Sequence, residues 1–185
     1  TMLGEAQERW LERNLSNATA RWTVLGQQVC TFALDRSRVN PGGQFSMDTW
    51  DGYAPARDRL YRMLRETKAP NPVVLSGDIH LHFGADLKMN FADPASATVA
   101  VEFTNSSITS NGDGAEAMAG WDRVHADNPH VRFHSARRGY VACTVTDRTM
   151  KAEFRTVGRV SVPDEPVRTA GALVVEAGRP GCQPA

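Results

Sequence analysis

The sequence predicts an α/β (α+β) domain, and three observations carry that prediction. Two helix–strand pairs open the chain, a series of strands closes it, and one early strand, Val73-Val74-Leu75, is apolar without a break. Continuous apolarity implies burial on both faces, as in a sheet covered by helices. With 185 residues, 41% of them hydrophobic, the chain suffices for one domain or a large piece of one. No internal repeat or low-complexity tract divides it, so residues 1–185 read as a single unit.

The first element is an amphipathic helix over residues 5–18. Ala6, Trp10, Leu11 and Leu15 recur at helical spacing, and Glu5, Glu8, Arg9, Glu12 and Arg13 fill the other face. Residues 22–29 read as a short strand. A loop over 35–53 follows, rich in Gly, Pro, Asn, Ser and Asp yet holding Phe45, Trp50 and Tyr53. Long loops on a rigid scaffold often carry function. A second helix is predicted over 55–68, with Pro55 in its first turn, where a missing N–H costs little. Leu60, Met63 and Leu64 form its buried stripe, Arg57 lies on the exposed side, and Pro70-Asn71-Pro72 ends it. Strands are predicted at 73–75 and 98–104, with Val99, Val101 and Phe103 on one face. A helix near 115–125 and strands at 139–146, 150–157 and 172–176 complete the reading.

Bulk properties narrow the function classes. Lys+Arg and Asp+Glu both number 21, so the formal net charge is zero. With no long basic run, neither nucleic acid nor an anionic membrane is expected as the main partner. Apolar runs reach only about four or five residues against the ~20 that span a bilayer, so no transmembrane segment is expected. No signal-peptide pattern opens the chain. Cys30, Cys143 and Cys182 lack CxxC spacing, which speaks against a zinc knuckle or redox pair, and an odd count permits at most one internal disulfide.

The sharpest chemical feature is Leu75-Ser76-Gly77-Asp78-Ile79-His80-Leu81-His82. A buried strand runs into a glycine and then offers one carboxylate and two imidazoles in alternation. In extended chain Asp78, His80 and His82 would share a side, and Gly77 would let the backbone turn and approach a ligand. Carboxylate with imidazole suits a hard or borderline divalent ion, or iron. The same pattern also fits a strand with one polar, solvated face. Asp51, in Asp48-Thr49-Trp50-Asp51-Gly52-Tyr53, reads either as a further ligand or as a cap or Asx-turn carboxylate. The hydroxyls and amides of 104–112 can bind an oxyanion, cap a helix or satisfy their own turn. Asn128-Pro129-His130 and Arg137-Arg138-Gly139-Tyr140 form a fourth cluster, its arginines either a phosphate clamp or surface charges.

Taken in order, Met2-Leu3-Gly4 with Gln7 and Trp10-Leu11, Trp50-Asp51-Gly52-Tyr53, Leu75-Ser76-Gly77-Asp78-Ile79-His80, Ser107-Ile108-Thr109-Ser110, Asn128-Pro129-His130 and Arg138-Gly139-Tyr140 resemble the PhoD-like alkaline phosphatase family. The resemblance covers nearly the whole chain. It implies part of a metallophosphoesterase β-sandwich flanked by helices, with metals at the strand ends, and hydrolysis of phosphate monoesters and diesters. It implies that Asp51, Asp78 and His80 are metal ligands, with His82 structural or in support of them. Iron and calcium are the implied cofactors, other divalent cations being alternatives, and small phosphate esters the implied substrates. Secretion or a periplasmic location is implied in the same way. The family's amino-terminal cysteine ligand, GD-x-x-Y segment and Trp-Asp-Asp-His type segment have no counterpart here. Residues 1–185 are therefore expected to be the C-terminal portion of the domain, its N-terminal half lying upstream.

Two rival readings stand beside this one. A chain with part of the ligand set is expected to be catalytically incomplete, binding metal weakly or serving as a folded structural module. An uncovered sheet edge would then invite self-association. Alternatively, an unrelated calcium-binding module would use the acidic loop at 48–51, with binding that survives His80→Ala.

Overall fold

A computed structural model describes residues 1–37 and 43–185. The middle of the loop expected at 35–53 therefore lies outside the described residues. The elements are α1 (Glu5–Ser16), β1 (Thr23–Gly26), a 3-10 turn (Trp50–Tyr53), α2 (Ala54–Glu66), β2 (Pro72–Ser76), β3 (His82–Lys88), β4 (Thr98–Thr104) and β5 (Gly114–Ala115), then α3 (Trp121–Asp127), β6 (Val131–Arg137), β7 (Gly139–Val145), β8 (Thr149–Thr156), β9 (Arg168–Glu176) and β10 (Arg179–Pro184).

They form three layers. A six-stranded sheet runs β1-β2-β4-β3-β6-β5, with β1, β2 and β4 parallel and the remaining pairs antiparallel. A four-stranded antiparallel sheet runs β10-β9-β8-β7. Between the sheets, Val73, Val101 and Phe103 pack on Met150, Ala152, Phe154, Leu173 and Val175. On the other face of the larger sheet, Val74, Ala85 and Ala100 pack beneath Leu15, Leu60, Tyr61, Leu64 and Val124 from the helices. The continuous apolarity of 73–75 is thus explained by different covers: a second sheet on one face and helices on the other.

The helices follow their local chemistry. Helix α1 carries Glu5 and Glu8 in its first turn and Arg13 in its last, complementing the helix dipole. Leu11 and Leu15 alone carry its packing, because Ala6 and Trp10 are exposed rather than inward-facing. Glu8 instead ties α1 to α2 through two hydrogen bonds from Arg59, at 2.9 and 2.7 Å. In α2 a proline occupies the first turn as expected, but Arg57 is buried instead of solvated. The expected helix near 115–125 is displaced to Trp121–Asp127, where Gly120 in left-handed backbone precedes the first turn.

Beside the two-residue β5, three strands escape hydrophobic patterning. β3 lies almost wholly inside the larger sheet although it contains His82 and Asp86, because each polar side chain has a protein partner there. β6 pairs with it on its far side. β10 contains Pro180 and Pro184 and sits at the edge of the smaller sheet, where a missing N–H is tolerated. All three cysteines are free thiols, with Cys30 buried.

Candidate metal centre

Parallel β1, β2 and β4 end at Gly26, Ser76 and Thr104, so the segments that follow gather at one edge of the larger sheet, as ligand-bearing loops of open α/β sheets do. The parallel ladder persists into them: Gln27 N–H donates to Leu75 O at 2.9 Å, Gly77 N–H to Gln28 O at 3.2 Å, and Asn105 N–H to Ser76 O at 2.8 Å.

A fully buried carboxylate, Glu102, fastens these segments from beneath. It accepts from the N–H groups of Thr31 and Phe32 at 3.0–3.2 Å and from the hydroxyls of Thr31 and Ser76. Tyr61 from α2 donates to the Thr31 hydroxyl at 3.1 Å. Burial pushes the Glu102 pKa up, while these donors pull against it. Sequence patterning gave no sign of Glu102, which sits on β4 at a position where alternation predicts only a turn of face.

Beyond Ser76 the chain does not continue as a strand. Asp78 and His80 adopt left-handed backbone, with φ of 69° and 58°, and β3 begins only at His82. The expected alternation of Asp78, His80 and His82 on one side of an extended segment is therefore incorrect. Gly77 also does not supply the turn: its φ is ordinary and an added Cβ would find nothing closer than 4.0 Å. The two side-chain-bearing residues absorb the bend instead, at a cost of about 1–2 kcal/mol each. Strain of this kind persists only where surroundings impose it. Here the His80 carbonyl receives the Ser106 hydroxyl at 3.0 Å and Arg138 Nη1 at 2.8 Å.

The bend leaves the Asp78 carboxylate exposed and the His80 imidazole half-buried, and neither has a side-chain hydrogen bond among the described residues. His82, by contrast, is fully buried. Its Nδ1 accepts from Ser106 N–H at 3.2 Å, and its ring meets Phe154 edge-on at 5.7 Å. Burial lowers the His82 pKa to about 4, so it is a neutral structural imidazole at neutral pH.

Asp51 stands in a different situation. Its carboxylate accepts Leu34 N–H at 3.1 Å and forms an ion pair with Arg57. The turn beneath it is capped by the Thr49 hydroxyl, which accepts from Asp51 N–H at 3.4 Å. Gly52 is required there because an added Cβ would lie 2.1 Å from Met47 O. The Leu34 segment is gripped by Asn128-Pro129-His130. Asn128 bonds Asp35 N–H and Asp35 O at 2.9 and 2.8 Å, and His130 Nε2 donates to Ala33 O at 2.7 Å. That motif therefore acts as a clamp on the Ala33–Asp35 backbone.

The other motifs resolve similarly. Ser106 is spent on His80 and His82, Ser107 donates to Ser110 O, and Asn105 bridges Ser106 O and Val141 N–H. Arg137 pairs with Glu116. Of the three expected ligands, Asp78 and His80 share one turn with unengaged side chains, whereas Asp51 is engaged by Arg57. No group of three His, Cys, Asp or Glu side chains placed to hold a metal occurs among the described residues. The donor types fit a hard or borderline ion, but of the three expected ligands only two stand free among the described residues, and hydrolytic metal sites ordinarily use three or more protein ligands. Asp51 retains unused lone pairs, since an ionised carboxylate accepts at about four positions.

Comparison with known proteins completes the description of this edge. Residues 1–154 match the family model for PhoD-like phosphatases. Alkaline phosphatase D of Bacillus subtilis (strain 168) is 38% identical over 181 residues, covering 98% of this chain and 31% of that protein. A solved structure of PhoD superposes with a TM-score of 0.93 at 36% identity, covering 99% of this chain and 35% of the other. The chain thus spans about a third of the length of these relatives.

Proposed function

The chain belongs to the PhoD-like phosphatase family, and from that premise we propose that it forms part of a metal-dependent phosphoesterase acting on phosphate monoesters and diesters. The observation that carries the reading is the Asp78–His80 turn. Two metal-competent side chains stand without side-chain hydrogen-bond partners among the described residues, at the carboxyl edge of three parallel strands, on backbone held in a strained conformation.

In this reading Asp78 and His80 hold the ion, and Asp51 contributes an unused lone pair while Arg57 and Leu34 N–H fix the position of its carboxylate. Iron and calcium, the pair associated with the family, are the proposed cofactors. A bound metal supplies positive charge for phosphoryl oxygens and acidifies water. The protein's own part is positioning: Glu102, the Asn128–His130 clamp and Arg138 hold the edge segments where donors meet substrate. Export to the periplasm or cell exterior is proposed by family likeness; no helix is long and apolar enough to cross a membrane among the described residues.

A second reading is favoured by the donor count. With only two free donors, these residues alone form an incomplete site that binds metal weakly, and turnover requires ligands from elsewhere. The test is hydrolysis of p-nitrophenyl phosphate and bis(p-nitrophenyl) phosphate by the purified chain after exposure to iron and calcium, beside Asp78→Ala. Turnover abolished in the variant supports the catalytic reading. Metal uptake without turnover supports the second, and wild-type metal uptake by Asp78→Ala sinks both.

A further inference from the structure

We propose that Arg138 is a positioning residue for His80, setting the direction of its imidazole by fixing its main-chain carbonyl; this rests on the reading of Asp78 and His80 as ligands. The Arg138 side chain is only 5% exposed and has no ion-pair partner among the described residues. Its donors go instead to main-chain carbonyls of two segments. Nη1 reaches His80 O at 2.8 Å, Nε reaches Gly112 O at 2.9 Å and Nη2 reaches Asn111 O at 3.4 Å.

Burying a guanidinium without a counter-charge is unfavourable, so its retention needs a reason, and its contacts supply one. The Ser106 hydroxyl donates to the same His80 carbonyl and lies 3.4 Å from Arg138 Nη1. Two donors thus converge on one acceptor, and that acceptor belongs to a residue whose φ of 58° has no local cause such as a glycine. The main chain at Arg138 is itself tied to its neighbours. Val157 N–H donates to its carbonyl at 3.0 Å, and Gly139 N–H donates to Ser107 O at 3.0 Å. A planar fork can serve three carbonyls at fixed angles; an ammonium serves them only as a point donor.

The test uses the 185-residue chain with Mn2+ as the probe. One readout is the Mn2+ dissociation constant from the electron paramagnetic resonance signal of free Mn2+, which every variant reports alike. The other is amide hydrogen exchange at residues 79–81 in metal-free protein. Arg138→Met is expected to weaken Mn2+ binding about 10–100-fold and to speed exchange at 79–81, with Arg138→Lys recovering part of both. Ser106→Ala removes the companion donor without creating a buried charge, and is expected to shift both readouts in the same direction. It carries the test if Arg138→Met does not fold. Wild-type affinity and exchange in folded Arg138→Met, or in Ser106→Ala where that variant stands alone, overturn the proposal. Undiminished Mn2+ binding in Asp78→Ala and His80→Ala would instead sink the ligand reading, leaving exchange in metal-free protein to judge the carbonyl contact.

Discussion

Asp51 and Arg57 face each other in an ion pair whose side chains are 3% and 11% exposed, and the Arg57 guanidinium also lies 5.3 Å from the centroid of the Phe91 ring. The pair explains why an arginine that helical spacing assigns to solvent is buried. Removing one partner leaves the other charge in a poorly solvated site. Arg57→Met is expected to lower stability by about 3–5 kcal/mol. Asp51→Asn combined with Arg57→Met should recover a large part of that loss, because no buried charge then lacks a partner. Urea denaturation of the wild type, the two single variants and the double variant checks this; single losses that simply add in the double variant would show that the pair is not coupled.

Glu102 holds the segment that follows β1 and the end of β2 by accepting from Thr31, Phe32 and Ser76. In Glu102→Gln an amide group faces donors, so at least one buried N–H or hydroxyl loses its acceptor, at a cost of about 1–3 kcal/mol. The expected local signature is faster amide exchange at residues 31 and 32 than elsewhere in the larger sheet. Uniform acceleration through the sheet would mean that Glu102 acts on global stability alone.

How much of this was legible in the sequence depends on where polar residues were spent. The Leu60 and Leu64 stripe of α2 and the alternation of buried Met150, Ala152 and Phe154 with Lys151, Glu153 and Arg155 in β8 follow apolar periodicity closely, because the charged positions between them reach water. β3 does not, since buried Asp86 is satisfied internally by Arg132 and Cys182 N–H and the Nδ1 of buried His82 by Ser106 N–H, and a period read from side-chain polarity cannot anticipate buried partners. The same blindness hid Glu102. At the Asp78–His80 turn, alternation in the sequence implied extended chain, yet contacts from Ser106 and Arg138, 26 and 58 positions away, coincide with left-handed backbone. Asp78 and His80 stood out in the sequence, but the bend between them did not, because the hydrogen bonds that accompany it come from distant residues.

Acid should unfold this protein through its buried imidazoles. Burial lowers the pKa values of His82, His130 and His134 to about 4. These groups are neutral in the fold, whereas the unfolded chain protonates them near the ordinary value of about 6.5. Stability from neutral burial is therefore complete above pH about 6.5 and declines as pH falls toward 4, with up to about 1.4 kcal/mol per pH unit for each histidine. A thermal midpoint that falls steeply between pH 6.5 and 4, with uptake of close to three protons on unfolding near pH 5, is the expected result. A flat profile over that window would show that the imidazoles titrate normally.

Gly139 links sheet packing to the site. An added Cβ at this position would lie 1.9 Å from Arg155 O and 2.9 Å from the Thr156 Cα, both main-chain atoms of β8 that cannot swing away. Gly139→Ala must therefore push β7 and β8 apart, with an expected loss of about 1–3 kcal/mol. Gly26→Ala is the control, since a Cβ there meets nothing within 4 Å and the substitution should be neutral or mildly stabilising. The neighbour of Gly139 is Arg138, whose guanidinium touches His80 O, so displacement of β7 should reach the Asp78–His80 turn. Chemical-shift changes in Gly139→Ala that extend to residues 78–81 would demonstrate that mechanical connection. Changes that stop within the smaller sheet would show that the Arg138 side chain absorbs the shift before it reaches His80.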